Sequence, residues 1–191
     1  SWRHVLAPLS EEREVFALDM PGSGFSECHE TTDAHLSQAA GRLLKFLDVV
    51  GIGSCDLVGS SYGGTTALYL TATHPSRIRT LTLVSPANPW SRIGRKRLAL
   101  LGLPFAGLLF PPFARRIPAL HRLSIRRMYG DQRRLSAETL RGYSLALVRK
   151  GVFEHAVRIA HNWHSDMADL QRVLVGAAET PTLILWGSKD R

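Results

Sequence analysis

The stretch VGSSYGG, residues 58–64, lies between the apolar run CDLVG and the run TTALYLTA. Glycine and serine usually mark loops, but Gly59, Ser61 and Gly63 also form the only G-x-S-x-G match in the chain. This motif is typical of a serine nucleophile when it lies on a sharp turn between a strand and a helix. The flanking runs predict that context, so we expect Ser61 to be a catalytic nucleophile.

The neighbours of Ser61 have expected roles of their own. A serine held in a strained turn needs small neighbours, and we expect Gly59 and Gly63 to supply them. The backbone N–H of Tyr62, at the start of the following helix, would point at a developing oxyanion and form half of an oxyanion hole. Ser60 lies at the variable second position of the motif and is expected only to help the turn.

Apolar runs of strand length alternate with stretches of helical spacing along the chain. The runs VFALDM (15–20), CDLVG (55–59), TLTLVS (80–85) and TPTLILWG (180–187) are typical of strands. Helical spacing is found from Asp33, with Thr32 or Asp33 as N-cap and Gly51 as the stop, then in TTALYLTATH, and again from Met167. This order predicts an α/β fold with a mostly parallel sheet flanked by helices.

The alternation stops between Pro86 and about Asp166, where arginine-rich helical segments replace it. We interpret residues 88–165 as an inserted helical lid, and residues 1–87 and 166–191 as the two parts of a core. The uncharged stretch Leu98–Ala114 is interrupted by three prolines, which argues against a transmembrane helix. We expect it to line the pocket as an apolar lid helix, and we favour this over contact with a membrane surface.

Composition excludes several classes of protein. The two cysteines form no C-x-x-C and no histidine stands at metal-ligand spacing, so neither a disulfide framework nor a metal site is expected. The net charge is +8, but residues 89–178 hold 16 Lys and Arg against 5 Asp and Glu. This regional excess comes without a nucleic-acid-binding motif, so a solvated basic face is favoured and no nucleic-acid partner is expected. The N-terminus lacks the apolar core of a signal peptide, and a cytoplasmic location is expected.

Four segments, in their order along the chain, resemble the α/β-hydrolase superfamily in its lid-bearing esterase and lipase branch. They are LDMPGSGFS (18–26), LVGSSYGG (57–64), LTLVSPA (81–87) and PTLILWGSKD (181–190). The resemblance implies that Ser61 is the nucleophile on the elbow after the fifth strand of the family. It also implies that the lid follows VSPA and that Asp190 is the triad acid.

Two features of that family are not found in the sequence. The family's histidine follows the acid after one more strand, whereas Asp190 is followed only by Arg191. The H-G loop that supplies the second oxyanion donor precedes the segment that matches the chain's first residues. His161 and His164, in HNWH, are the nearest substitutes for the base. We therefore expect the chain to be truncated at both ends and inactive by itself.

The predicted function is that of a serine hydrolase acting through an acyl-enzyme. Ser61 would attack an ester or ester-like bond of an apolar small molecule, without a metal or an organic cofactor. C–C bond hydrolysis and perhydrolase chemistry on the same scaffold stay open, as does a non-catalytic module that binds a ligand or partner. The sequence predicts no oligomeric state.

Overall fold

A parallel β-sheet lies at the centre of the molecule. The computed structural model describes residues 2–90, 100–103 and 105–188, and within them the sheet has the order β1 (Cys55–Ser60), β2 (Ile78–Val84) and β3 (Thr182–Leu185). Both pairings are parallel, with Ser60 opposite Val84 and Val84 opposite Leu185. The predicted α/β fold is therefore confirmed, and the carboxyl ends of the three strands meet at one edge.

Helices join and flank these strands. In chain order they are α1 (Arg3–Ser10), α2 (Leu36–Val50), α3 (Tyr62–Thr73), α4 (Ala106–Arg116), α5 (Pro118–Met128), α6 (Ala137–Leu147) and α7 (Val152–Val173). Short 3₁₀ turns cover Pro75–Arg77, Gln132–Arg134 and Leu174–Ala177. No helix in the described ranges is long and apolar enough to cross a membrane.

Helix α2 ends as the sequence predicts but begins later. Gly51 takes a left-handed conformation with φ 77° at the C-cap, where its N–H closes the last turn. At the other end the helix begins at Leu36, because the Asp33 carboxylate accepts the N–H of His35 and holds a preceding turn instead. The predicted N-cap at Thr32 or Asp33 is thus wrong by a few residues.

The main core lies where α2 and α3 pack on the sheet. Its fully buried side chains come from alternate positions of β2 and from positions of α2 and α3 that repeat at helical spacing: Ala40, Leu43, Leu47, Ala67, Leu70, Ile78, Leu81 and Leu83. A second cluster of Leu36, Met167 and Leu170 joins α2 to α7, with Tyr62 packed against it. The first residue of α3 is therefore fixed by a helix from the far end of the chain.

The predicted strand at 15–20 does not form among the described residues. Residues 15–20 join no β-ladder. Strand β1 pairs only with β2 in the described part, and a strand needs a partner for its backbone groups. Phe16 packs edge-to-face on Phe46 of α2 instead, with ring centroids 5.6 Å apart. The apolar content of residues 15–20 predicts that they pack against the protein, but it does not predict that they pair with a strand.

The segment between β2 and β3 is helical in its described part. Phe110 of α4 packs edge-to-face on Phe153 of α7, whereas Leu100, Leu103 and Phe105 are more than half exposed. The start of the apolar stretch, at residues 98 and 99, lies outside the described residues. Helix α7 continues without a break across residue 165, where the sequence places the lid boundary, and the division into core and lid stays a prediction.

The core cluster predicts a large effect at Leu70. Its side chain is fully buried in α3, so Leu70→Ala should lower the free energy of unfolding by about 3 kcal/mol through lost burial and a residual cavity. Val49→Ala on α2, where the side chain is 78% exposed, is the control and should change it by less than about 0.5 kcal/mol. Urea unfolding of both variants measures the difference, and equal losses would contradict the assigned core.

Candidate active site

Ser61 occupies the sharp turn between β1 and α3. Its backbone has φ 52° and ψ −124°, a combination that costs a non-glycine residue of order 1–3 kcal/mol. Strand β1 ends at Ser60 and α3 begins at Tyr62, so Ser61 alone makes the turn. Its side chain is exposed. This is the strained and accessible geometry that the G-x-S-x-G motif predicts.

The end of β2 holds this turn in place. The Ser61 N–H donates to the Val84 carbonyl at 3.0 Å, and the Ala87 N–H donates to the Ser61 carbonyl at 3.1 Å. The Thr65 hydroxyl bridges the Ala87 carbonyl to the same turn. Ser85 lies between these contacts with φ 44°, so a second strained residue supports the first. Sequence patterns single out neither Thr65 nor Ser85.

Small residues let β1 and α3 approach at the turn. A Cβ added at Gly59 would lie 2.6 Å from the Gly63 carbonyl oxygen and 2.7 Å from the Gly64 Cα. One added at Gly64 would lie 3.1 Å from Pro86, whereas at Gly63 it would meet no heavy atom within 4 Å. The close approach of β1 and α3 thus falls at Gly59 and Gly64, and the elbow-supporting role of Gly59 and Gly63 stays a prediction. Gly64 lies outside the motif.

The Tyr62 N–H is available at the start of α3. The first N–H groups of a helix have no partner within it, and among the described residues no carbonyl outside the helix accepts from Tyr62. The Tyr62 ring is fixed against Leu36 and Met167, and its hydroxyl lies 3.5 Å from the Ala34 carbonyl. Burial raises the pKa of Tyr62, so the side chain stays a neutral phenol. The arrangement fits the predicted oxyanion donor.

The partners of a serine nucleophile are not assembled in the described part. Asp190 lies outside the described residues. No hydrogen bond joins Ser61 to any of the eight histidines, all of which are described. His161, one of the two suggested substitutes, hydrogen-bonds the Leu103 carbonyl at 3.3 Å instead. Ser60 forms the last pair of β1. Within the described residues no cluster of side chains could hold a metal ion.

A match along the whole chain identifies its family. A family model of the alpha/beta hydrolase fold matches residues 1–191. The chain belongs to the α/β-hydrolase fold family. The Ser61 turn therefore lies on an α/β-hydrolase scaffold, and the resemblance to that superfamily carried by four sequence segments is confirmed.

Three relatives show how far the likeness extends. The 2-hydroxymuconate semialdehyde hydrolase of Pseudomonas sp. (strain CF600) is 40% identical over 92 residues, which cover 46% of this chain and 31% of the relative. Epoxide hydrolase 4 of Mus musculus is 27% identical and covers all of this chain, which spans 56% of that protein. The structure of 2-hydroxy-6-oxo-6-phenylhexa-2,4-dienoate hydrolase from Rhodococcus sp. strain RHA1 superposes with a TM-score of 0.73 at 22% identity, over all of this chain and 68% of that one. This chain therefore spans about a third to about half of the length of the two curated relatives.

The glycine-rich loop after residue 18 is ordered by Asp19 and by α7. The Asp19 carboxylate accepts the Phe25 N–H at 2.9 Å, and the left-handed Gly22 leaves no room for a Cβ beside His155 of α7. Burial, helped by Arg158, lowers the pKa of His155 to about 4, so this histidine is neutral and buried. Two pockets of about 310 and 390 Å³ flank the following loop at Cys28 and His29. Ser61 lines neither.

Asp166 of α7 pairs with His35, the residue that precedes α2. Its carboxylate lies 3.0 Å from Nδ1 of His35. Burial raises the pKa of Asp166, against the opposing effect of His35, while the hydrogen bond to Asp166 raises the pKa of His35. His35 adjoins Leu36, which belongs to the cluster that Tyr62 packs against, so this contact lies close to the start of α3. No sequence pattern predicts it, since the partners are 131 positions apart.

The glycine contacts predict opposite results for two alanine variants. Gly59→Ala should lower the melting temperature of the protein by several degrees, because the added methyl overlaps the α3 backbone. Gly63→Ala, in the same motif, should stay close to the wild type because its methyl meets open space. Thermal unfolding followed by circular dichroism compares them, and an equal loss in both would contradict the packing described.

The Asp166 contact predicts a shifted titration of His35. NMR titration should place the His35 pKa above the ordinary value of 6.5, and Asp166→Asn should bring it back toward that value. Since the pKa of His35 is raised in the folded protein, the stabilisation that comes from protonating His35 is fully present below pH 6.5 and is lost as the pH rises through the raised pKa. Asp169→Asn is the control, because Asp169 contributes least to the shift. A His35 pKa of 6.5 in the wild type would contradict the contact between His35 and Asp166 in solution.

Proposed function

We propose that this chain is the nucleophile-bearing part of a serine hydrolase that cleaves an ester or ester-like bond of an apolar small molecule. The observation that carries the proposal is the Ser61 turn, whose strained backbone exposes the hydroxyl beside an N–H without an acceptor among the described residues. A structural serine would gain nothing from such strain, whereas a nucleophile gains access to substrate.

The proposed chemistry follows from the atoms around the turn. Ser61 Oγ attacks the carbonyl carbon and its proton passes to a base, while the oxyanion accepts a hydrogen bond from the Tyr62 N–H. The alcohol then leaves with that proton, and water attacks the acyl-enzyme to release the acid and regenerate Ser61. We assign Asp190 to orienting the base. We assign the role of base to no histidine, since none of the described histidines hydrogen-bonds Ser61.

The apolar character of the substrate rests on the segment between β2 and β3. Phe110 and Phe153 form an aromatic contact between α4 and α7, and the neighbouring stretch is rich in leucine and phenylalanine. Apolar walls with a few polar groups are typical of small-molecule sites. Acyl esters are therefore favoured over highly charged substrates.

A second candidate is hydrolysis of a C–C bond in an unsaturated carboxylate. It is favoured by the 40% identity with a hydrolase whose named substrate is 2-hydroxymuconate semialdehyde. Ser61 and the Tyr62 N–H would serve in either reaction, since the fold hosts both. Turnover of a 2-hydroxy-6-oxo dienoate, with no turnover of p-nitrophenyl esters, would select this candidate.

Serine labelling tests the nucleophile. The whole protein that carries this chain should react with a fluorophosphonate probe, and Ser61→Ala should abolish both labelling and p-nitrophenyl ester hydrolysis, with a loss in kcat of about 1,000-fold or more. Ser60→Ala is the matched control, one position away on β1, and should keep both.

The outcomes separate the alternatives. Labelling that survives Ser61→Ala and disappears in Ser60→Ala would reverse the assignment. A folded protein that neither labels nor turns over any ester or dienoate would favour a non-catalytic binding module on the hydrolase scaffold.

A further inference from the structure

The outer side of the α4–α5 hairpin leaves apolar side chains in solvent. We call it the hairpin face and define it by Phe113, Leu120, Leu123, Arg122, Arg126 and Arg127. Phe113 is 69% exposed, Leu123 46% and Leu120 39%. Exposed apolar patches that polar residues surround are typical of protein or membrane interaction sites. The hairpin face is outside the Ser61 turn and its contacts, so it does not depend on the proposed reaction.

The two sides of α5 differ as in an amphipathic helix. His121 and Ile125, four positions apart, are buried against the rest of the molecule, and the His121 ring bonds the Ala114 carbonyl of α4. On the opposite side, Leu120 and Leu123 are three positions apart and therefore adjacent on the helix surface. The inner side of α5 is thus already packed against the protein. Leu120 and Leu123 form a second apolar stripe, which faces solvent.

Arginines surround that stripe. Residues 100–134 contain seven arginines and one acidic residue, Asp131, and Asp131 is already engaged by Arg133 and Arg134. In the part of the chain that the structure describes, no carboxylate lies within 4 Å of the guanidinium groups of Arg122, Arg126 or Arg127. The hairpin face therefore combines unpaired positive charge with exposed apolar side chains.

This combination selects one kind of partner. A second copy of the chain would bring like-charged arginines together across a two-fold interface, which is unfavourable. A nucleic acid would pair with the arginines but would leave Leu120, Leu123 and Phe113 in water, because its backbone is charged. An anionic bilayer satisfies both, since its surface attracts Lys and Arg while its headgroup boundary takes up apolar side chains.

We propose that the hairpin face docks on the surface of an anionic phospholipid bilayer. Phe113, Leu120 and Leu123 insert at the boundary between headgroups and acyl chains, and Arg122, Arg126 and Arg127 pair with lipid phosphates. The helices lie parallel to the membrane plane. Docking requires both parts of the face, since a few exposed leucines or a few arginines alone bind a membrane weakly.

Vesicle sedimentation tests the proposal. The protein should sediment with vesicles of phosphatidylcholine and phosphatidylserine but not with vesicles of phosphatidylcholine alone, and added salt should release it. Leu120→Ser with Leu123→Ser should lower the partition coefficient about ten-fold or more, and so should Arg126→Glu with Arg127→Glu. Circular dichroism checks that each variant is folded.

Two variants on α2 serve as matched controls. Val49→Ser changes an exposed apolar side chain and Lys45→Glu an exposed cation, both away from the hairpin, and both should sediment like the wild type. Equal binding to both kinds of vesicle, or no loss in the hairpin variants, would overturn the proposal. A dimer in light scattering that Leu123→Ser dissociates would assign the face to self-association. Binding of an oligonucleotide that only the arginine changes abolish, without vesicle binding, would assign it to nucleic acid.

Discussion

The close approach of two backbones at Gly59 is the constraint on which the site depends. The α-carbon of Gly59 stands where any side chain would overlap the first turn of α3. That contact forces the chain to reverse direction within one residue, and Ser61 takes the strain with φ 52°. The same contact fixes where α3 starts, and α3 in turn contributes Leu70 and Ala67 to the main core. The close approach of the two backbones at Gly59 therefore determines both the exposure of Ser61 and the position of α3 in the core.

Strand β2 and helix α7 hold the Ser61 turn from either side. Strand β2 and the residues after it supply the Val84 and Ala87 backbone contacts to Ser61. Helix α7 supplies Met167 and Leu170, which form with Leu36 the cluster that the Tyr62 ring packs against. A strained turn persists only where its surroundings over-determine it. Here the surroundings include residues more than 100 positions away from Ser61 in the chain.

The sequence predicted the features that depend on neighbouring residues, but not those that depend on contacts between distant residues. The strand-to-helix context of Ser61, the stop of α2 at Gly51 and the parallel α/β order depend on neighbouring residues and periodicity, and these predictions are confirmed. The role of Gly64 depends on Pro86, and the contact of His35 before α2 depends on Asp166. Contacts between residues so far apart in the chain produce no recognisable spacing of residue types in the sequence. The strand predicted at 15–20 is wrong for the same reason, because pairing needs a partner that hydrophobicity does not reveal.

Helix α7 has a mechanical consequence. It runs for 22 residues without a glycine or proline, so it is a rod about 33 Å long with no kink-prone residue. Its C-terminal half is fixed to the core through Asp166, Met167 and Leu170, while its N-terminal half carries Phe153 against α4. A rod of this length acts as a lever, and a tilt of roughly 10° at its fixed end would displace the other end by roughly 6 Å. Because α7 contacts both α4 and the cluster that Tyr62 packs against, a tilt of α7 would move α4 relative to the residue that follows Ser61.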